Sequence, residues 1–167
     1  GNPYSERYVH RGLELLSNGT LLWSVDIRSK PEENSHGLYM FRSLDNGHTW
    51  QGPTLVHDWA SEGASTRLPS GRIVATVRYQ RRLHSTDPKD LEKRNRSISK
   101  GWPWKNVFLI DSLDNGKTWT RPRQLTTVFG QTFGYPVSTR DGTLVVIHDT
   151  RYGPGLPGSR AVVSHDE

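Results

Sequence analysis

The sequence predicts an all-β fold built from a repeated unit of short antiparallel strands. An octad at residues 43–50 (SLDNGHTW) returns at residues 112–119 (SLDNGKTW) with one difference, and a partial third copy begins at Ser164. Sixteen glycines, ten prolines and a hydrophobic content of only 32% are typical of many short strands joined by turns. A motif that recurs along a chain indicates a repeat architecture in which each unit packs against its neighbours.

The octad has the chemistry of a tight turn between two strands. Asn and Gly tolerate positive φ, and the Asp carboxylate can accept hydrogen bonds from turn amides. The flanking Ser and Thr hydroxyls can bond across the turn, and the Trp provides a large surface to bury. Because every copy carries the same aspartate, whereas an active site is used once, we expect these aspartates to staple turns rather than to catalyse. The structural positions are Ser43, Asp45, Gly47, Thr49 and Trp50 in the first copy and Ser112, Asp114, Gly116, Thr118 and Trp119 in the second.

Turn signals divide the chain into two complete units and one incomplete unit. The first unit, residues 1–58, contains predicted strands at 8–16, 20–27, 37–42 and 51–58. The second, residues 59–128, contains strands at 63–68, 72–79, 106–111 and 121–128. The third, residues 129–167, contains strands at 133–139, 143–149 and 160–163. The first two strands of each unit are joined by SNG at 17–19, PSG at 69–71 and RDG at 140–142. Four antiparallel strands per repeat predict the blade of a β-propeller, and the chain holds about two and a half such blades.

A polar, basic insertion at residues 80–105 separates the second and third strands of the second unit. Residues 86–91 (TDPKDL) contain a capping residue followed by proline, so we expect a short helix that ends near residue 97. Residues 102–104 (WPW) either offer an aromatic platform for a sugar face or pack onto the blade.

Composition limits the classes of function. No apolar run is long enough for a transmembrane helix, and the chain has no cysteine for disulfides or thiolate metal sites. A net charge of +5 suits an anionic partner, such as an acidic sugar, or simply keeps the surface soluble. The basic insertion lacks the aromatic interleaving of nucleic-acid binders, so we discount that partner. We expect no cofactor, since no His/Asp/Glu spacing indicates a metal site.

The pattern Ser-x-Asp-x-Gly-x-Thr-Trp resembles the Asp-box, or BNR repeat, of the sialidase (neuraminidase) superfamily. The resemblance implies a partial six-bladed propeller whose remaining blades are missing from this chain. It also implies ligand binding near the propeller axis, on the side opposite the Asp-box turns, and favours a secreted or periplasmic protein. The side chains expected on that side are His10, Arg11, Asp26, Arg28, Glu62, Arg78, Tyr79, Tyr135, His148, Asp149, Arg151 and Tyr152. Asn18 falls on the other side, where we expect it to serve the turn although it lies in a glycosylation sequon.

The second unit carries the most specific chemical signal. Residues 62–78 (EGASTRLPSGRIVATVR) resemble the sialidase blade that has a Glu before the first strand and an Arg at the end of the second. An Arg at a strand end can clamp a sugar carboxylate bidentately, and a nearby Glu can serve as a base. In the family this Glu polarises a tyrosine nucleophile and the Arg belongs to a triad that holds the sialic acid carboxylate. The chain departs from the family pattern at Ser61 and Gly63, where Asn and Pro are frequent. An exposed Glu and a surface Arg are the structural alternative.

The other candidates rest on shorter matches. The segment at 19–28 is similar to the opening sialidase blade, which makes Asp26 and Arg28 candidates and Arg11 a possible triad member, although a middle blade fits this unit better. Arg151 or Arg160 would supply the remaining triad arginine, and residue choice alone does not separate them. His148 and Asp149 form either an acid/base pair or a solvated polar rim.

The resemblance implies an exo-α-sialidase-like glycosidase that acts on terminal sialic acid or a similar acidic sugar with retention. Arg78 would bind the carboxylate and Glu62 would act as base, whereas the nucleophilic tyrosine and the acid aspartate would lie outside this chain. We therefore expect the chain alone to be inactive. The alternatives are another uronic-acid glycan hydrolase or lyase of the superfamily, and a non-catalytic propeller that binds glycans or proteins, because Asp-boxes establish a fold and not an activity.

Overall fold

The computed structural model describes residues 6–8, 12–28, 36–58, 60–81, 85, 104–128, 130–151 and 155–165. Every regular element in these segments is a β-strand, and the strands form three antiparallel sheets that follow one another along the chain. This architecture confirms the predicted all-β class. The described part of the chain contains no helix with the length and apolarity needed to cross a membrane.

The three sheets correspond to the three predicted units. The first contains β1 (Glu6–Tyr8), β2 (Leu13–Leu15), β3 (Leu21–Arg28), β4 (His36–Ser43) and β5 (Gln51–Asp58). The second contains β6 (Ala60–Arg67), β7 (Ile73–Arg81), β8 (Trp104–Ser112) and β9 (Arg123–Gln124). The third contains β10 (Gln131–Ser138), β11 (Leu144–Thr150) and β12 (Gly158–Ser164). His10, Arg11, Tyr152, the predicted helix up to residue 97, and Trp102 lie outside the described residues.

The same hairpin turn occurs in every sheet, between β2 and β3, between β6 and β7, and between β10 and β11. The residue before the turn donates its N–H to the carbonyl of the residue after it: Leu16 to Thr20 at 2.8 Å, Leu68 to Arg72 at 2.8 Å, and Thr139 to Thr143 at 2.9 Å. Each turn ends in a glycine with positive φ, namely Gly19, Gly71 and Gly142. At the first turn the side chain of Asn18 accepts the N–H of Thr20 at 3.1 Å, as expected for a turn residue.

Both octads fold into the same hydrogen-bonded turn. In the first, Ser43 Oγ donates to Asp45 Oδ1 at 2.8 Å, Gly47 N–H donates to Ser43 Oγ at 2.8 Å, and Thr49 Oγ1 donates to Asp45 Oδ2 at 2.6 Å. The second copy repeats these bonds around Asp114 at 2.9, 2.9 and 2.6 Å. The hydrogen bonds from the side chain and backbone of Thr49 lower the pKa of Asp45 to about 2. Both carboxylate oxygens of each aspartate therefore accept hydrogen bonds from residues of the same turn.

The core lies between neighbouring sheets. Leu38 of the first sheet packs with Ala75, Val77 and Ile110 of the second, and Leu22 packs with Ile73. The second and third sheets meet through a further cluster of buried residues, which consists of Leu68, Val74, Leu109, Leu144 and Val146. The two interfaces bury apolar surface that no single sheet could bury alone.

One polar contact recurs at both interfaces. Ser24 Oγ donates to the carbonyl of Gly63 at 2.9 Å, and Thr76 Oγ1 donates to the carbonyl of Gly134 at 2.7 Å. In both cases a buried hydroxyl of the earlier sheet reaches a glycine in the first strand of the next. Ile147 occupies the corresponding position of the third sheet, with 44% of its surface exposed.

Two predicted strands are shorter than expected. The segment 8–16 splits into β1 and β2, with Gly12 at φ 81 between them. The segment 121–128 keeps only two strand residues, because its pairing becomes irregular after Gln124, where the N–H groups of Leu125 and Thr126 both donate to the Val107 carbonyl at 2.9 and 3.2 Å. Val107 N–H donates to Thr126 Oγ1 at 2.9 Å, and Asn106 Nδ2 donates to the Thr126 carbonyl at 2.7 Å.

Candidate functional site

A β-bulge occurs near the start of the first strand in both the second and the third sheet. The register shifts between Ser61 and Ala64 and again between Thr132 and Tyr135. Each bulge contains a non-glycine residue in the left-handed region, Glu62 at φ 43 and Phe133 at φ 60. The two residues precede their hairpin turns by the same number of positions, so the bulge belongs to the repeat. Bulges redirect side chains, and strained residues of this kind concentrate at functional sites.

The bulge in the second sheet places Glu62 against Arg78. Glu62 Oε2 lies 2.8 Å from Arg78 Nη1, and the two side chains are 8% and 10% exposed, respectively. Arg78 Nε also donates to Ser61 Oγ at 3.0 Å across the β6–β7 pair. The two residues predicted from their spacing are thus in direct contact, and Ser61, a departure from the family pattern, orients the guanidinium group. A buried ion pair whose arginine is also hydrogen-bonded to a serine holds both side chains in one geometry.

The bulge in the third sheet adds an aromatic ring to this cluster. The guanidinium carbon of Arg78 lies 5.1 Å from the centre of the Phe133 ring, and that of Arg151 lies 3.7 Å from it. Arg151 follows β11 directly, and its side chain is 54% exposed. Its only close carboxylate among the described residues is Asp149, with Nη2 and Oδ2 at 3.8 Å. Glu62, Arg78, Phe133 and Arg151, which we call the arginine cluster, therefore join residues from two sheets.

Arg160 is engaged elsewhere. Its Nη1 donates to Thr150 Oγ1 at 2.7 Å, and its Nη2 donates to the Leu156 carbonyl at 2.7 Å. These bonds tie β12 to β11 and to the segment that precedes β12. Of the two arginines that the sequence left open, Arg151 is the one that lies in the arginine cluster.

His148 and Asp149 lie on opposite faces of the third sheet, as neighbours in a strand must. His148 is 3% exposed, and burial lowers its pKa. Asp149 is half-exposed and accepts a hydrogen bond from Ser159 Oγ at 2.9 Å. This arrangement does not give a hydrogen-bonded acid/base pair.

The remaining predicted residues have different surroundings. Asp26 is buried at the end of β3, in the position that corresponds to Arg78 in the second sheet. The ring of Tyr79 stacks on His57 at 5.6 Å and contacts Phe108 at 5.3 Å, so it helps pack the first sheet against the second. Tyr135 is 42% exposed on the same face as Ile147. Arg28 belongs to β3, but its side chain and Arg11 fall outside the part of the chain that is described.

Phe133 is the cluster member that sequence considerations missed. A signal exists, because the pair Phe133-Gly134 stands at the same distance from its hairpin turn as Glu62-Gly63. Alignment of the two units on their turns would have found it. A search of the described residues gives no group of three His, Cys, Asp or Glu side chains that could hold a metal ion.

Comparison with known proteins gives matches among solved structures. No protein-family model matches the sequence, and a comparison with curated proteins gives no match. The Hadza microbial sialidase Hz136 superposes with a TM-score of 0.72 at 18% identity, over 99% of this chain and 36% of that one. The sialidase of Trypanosoma rangeli gives 0.55 at 18% identity, over 87% of this chain and 21% of that one.

A second group of similar structures consists of arabinofuranosidases. The GH93 α-L-arabinofuranosidase of Fusarium graminearum, solved with arabinobiose, gives a TM-score of 0.60 at 15% identity, over 89% of this chain and 42% of that one. The chain thus spans well under half the length of each of these three proteins. At these identities the likeness concerns the fold, which confirms the resemblance at that level. The chain has the fold of consecutive blades of a sialidase-type β-propeller, the architecture that these sialidases and GH93 glycoside hydrolases share.

Proposed function

We propose that the protein carrying this chain is an exo-glycosidase that acts on terminal sialic acid or a similar acidic sugar with retention. The observation that carries the proposal is the arginine cluster, in which Arg78 and Arg151 approach one aromatic ring beside the buried carboxylate of Glu62. The fold, which the chain shares with glycoside hydrolases, supports the same class of activity.

In this proposal the two arginines bind the sugar carboxylate. A guanidinium group presents a rigid, planar set of N–H donors that matches the two oxygens of a carboxylate. Arg78 is fixed by Glu62 and Ser61, whereas Arg151 is half-exposed and can reach an incoming anion. Arg78 thus sets the position of the ligand and Arg151 closes on it.

Glu62 acts as the base toward a tyrosine that lies outside this chain. Sialidases differ from most retaining glycosidases in that their nucleophile is a tyrosine. The phenol of such a tyrosine needs a neighbouring carboxylate to take its proton. Glu62 Oε2 contacts Arg78 at 2.8 Å, and a carboxylate has a second oxygen with which it can accept a proton. An acid aspartate outside the chain completes the proposed machinery.

The charges of the site favour a second candidate, a glycosidase for neutral sugars. Glu62 lies 2.8 Å from Arg78, and Asp149 lies 3.8 Å from Arg151, so each arginine already has a carboxylate neighbour. These four side chains carry no net charge, which weakens the attraction of the site for an anion. The arabinofuranosidase activity of the GH93 enzyme with the same fold is consistent with a neutral furanoside as substrate.

Hydrolysis of three fluorogenic glycosides by the full-length protein that carries this chain tests the proposal, because the proposed nucleophile and acid lie outside the chain. The substrates are the 4-methylumbelliferyl glycosides of α-N-acetylneuraminic acid, β-glucuronic acid and α-L-arabinofuranose, and the variants are Arg78→Met and Glu62→Gln. Arg123→Met is a matched control, because it removes an arginine from an ion pair of the same sheet, with Asp111 at 2.6 Å. We expect turnover of the sialoside, a fall in kcat/KM of about 100-fold or more for Arg78→Met, and little change for Arg123→Met.

Each other outcome assigns the protein differently. Turnover of the arabinofuranoside alone supports the neutral-sugar candidate, and turnover of the glucuronide alone supports a uronic-acid glycosidase. Binding of these sugars without any turnover would make the protein a glycan-binding propeller. Equal losses for Arg78→Met and Arg123→Met would refute a substrate-binding role for Arg78.

A further inference from the structure

We propose that Phe133 is a positioning residue whose ring holds the guanidinium groups of Arg78 and Arg151 at a separation suited to one carboxylate. The inference rests on the proposed function, because it assigns Phe133 to the same anion site. It goes further in giving a role to a residue that bears no charge and no nucleophile.

The geometry of the ring limits how far apart the two arginines can be. The guanidinium carbons lie 5.1 Å and 3.7 Å from the same ring centre, so they are at most about 9 Å from one another. A carboxylate that bridges two guanidinium groups through N–H···O⁻ bonds of about 2.8 Å places their central carbons roughly 7–10 Å apart. The upper limit that the ring sets on the separation of the guanidinium carbons, about 9 Å, therefore falls within the range that one bridging carboxylate needs. Arg78 is already fixed by Glu62 and Ser61, so the ring acts mainly on Arg151, whose long and half-exposed side chain has many rotamers and would otherwise move away from a like charge.

The backbone of Phe133 supplies independent support. Its φ of 60 lies in the region that favours glycine, and a bulky residue there is disfavoured. The equivalent residue of the second sheet, Glu62, is also strained at φ 43, and its side chain contacts Arg78. In both sheets a side chain that contacts Arg78 is therefore kept at a position where glycine would fit the backbone better. Strain that persists at such a position indicates a side chain with a function.

The ring of Phe133 is half-buried and faces the two guanidinium groups. A cation over the face of an aromatic ring within about 6 Å is attracted by the quadrupole of the ring, and both guanidinium carbons meet that distance. The cation–π contacts with Arg78 and Arg151 therefore fix the position of the ring, and the same contacts fix the guanidinium group of Arg151.

Three variants of Phe133 test the proposal. Phe133→Leu keeps the apolar volume and the strained backbone but removes the aromatic face, and Phe133→Tyr keeps the face. Phe133→Gly removes the side chain and relieves the backbone at once. The first readout is the Nε–Hε signal of Arg151 in ¹⁵N NMR spectra, assigned with Arg151→Lys. The second is the ratio of the affinities for methyl α-N-acetylneuraminide and for its methyl ester, which lacks the carboxylate charge.

We expect the Arg151 signal to carry a ring-current shift in the wild type and in Phe133→Tyr, and to lose it in Phe133→Leu. The acid-to-ester affinity ratio should fall roughly 2- to 30-fold in Phe133→Leu and Phe133→Gly. Phe133→Gly should unfold at a temperature no lower than Phe133→Leu, because glycine accepts positive φ. A loss of affinity without a loss of stability separates positioning from a merely structural role.

Contrary outcomes are distinguishable. A wild type without the ring-current shift, or a Phe133→Leu variant with an unchanged affinity ratio, overturns the role of Phe133 even if the protein hydrolyses sialosides. A wild type with no preference for the acid over its ester overturns it as well. If the preference depends on Phe133 but no glycoside is hydrolysed, the role of Phe133 stands and the proposed activity fails.

Discussion

The contact between the second and third sheets depends on the absence of a side chain at Gly134. A Cβ at this position would lie 2.6 Å from Val107 Cγ1, 2.9 Å from Thr76 Cβ and 3.0 Å from Thr76 Cγ2. Val107 and Thr76 are fully buried, and their branched side chains are stiff, so neither can rotate away freely. Gly134→Ala must therefore push the two sheets apart.

Such overpacking costs about 1–3 kcal/mol, and the smaller entropy of an unfolded alanine returns about 0.4–1 kcal/mol. We expect a net loss of about 1–2 kcal/mol in the free energy of unfolding. For a domain of this size that corresponds to a decrease of about 2–8 °C in Tm, measured by circular dichroism. Gly71→Ala is the control, because no atom lies within 4 Å of its added Cβ and its cost comes from φ 91 alone.

A double-mutant cycle decides whether the clash is the cause. Val107→Ala removes the atom nearest to the added Cβ and by itself costs about 2 kcal/mol. Combined with Gly134→Ala, the total loss should be smaller than the sum of the two by at least about 0.5 kcal/mol. With Gly71→Ala the losses should simply add. If Gly134→Ala and Val107→Ala are also additive, the packing explanation is wrong.

Two further expectations concern pH. Burial raises the pKa of Asp114, but hydrogen bonds from Thr118, Ser112 and Lys117 outweigh burial and lower this pKa from 3.8 to about 2. The ionised carboxylate therefore stabilises the fold above pH 3.8, and this contribution is lost as the pH falls through about 2. Urea unfolding of Asp114→Asn should accordingly show a weaker decrease in stability between pH 4 and pH 2 than the wild type, and equal slopes would contradict this account. Because burial lowers the pKa of His148 below 6.5, the wild type should lose stability as the pH falls below 6.5, and His148→Gln should lose less over the range above pH 3.8, where Asp114 does not yet titrate. An equal loss in the wild type and in His148→Gln over that range would assign the titration to another group.

The parts of the fold that could be predicted are those encoded by local sequence. Gly19, Gly71 and Gly142 end turns that need positive φ, and this requirement is visible in the chain itself. The resemblance of residues 62–78 to a sialidase blade made Glu62 and Arg78 candidates, but the ion pair between them was not predicted. The fourth strand of the second unit was overestimated, because its pairing turns irregular after Gln124, where Thr126 and Asn106 add side-chain bonds that no strand propensity reveals.

The parts that could not be predicted depend on contacts between units. The positive φ of a bulge residue such as Phe133 cannot be read from the residue type, because the strain is compensated by tertiary contacts; only an alignment of the units on their turns pairs Phe133 with Glu62. The choice between Arg151 and Arg160 likewise depends on which side chain reaches the ring of Phe133 from a different strand. Local rules set the sheets, whereas the site arises where two sheets meet.

The hydroxyl-to-glycine contact between sheets also means that the sheets are not interchangeable parts. Ser24 and Thr76 make this bond, but Ile147 and its cross-strand neighbour Tyr135 fill the corresponding places on the third sheet. A chimera that placed a second copy of residues 60–128 after the third sheet would find no donor there for Gly63, and a bulky ring where Ala64 lies in the second sheet. The order of the sheets in this protein therefore depends on the residue that faces the glycine of the next sheet, which is Ser24 at the first interface and Thr76 at the second. A shuffled arrangement of the same units would need a new residue at that position.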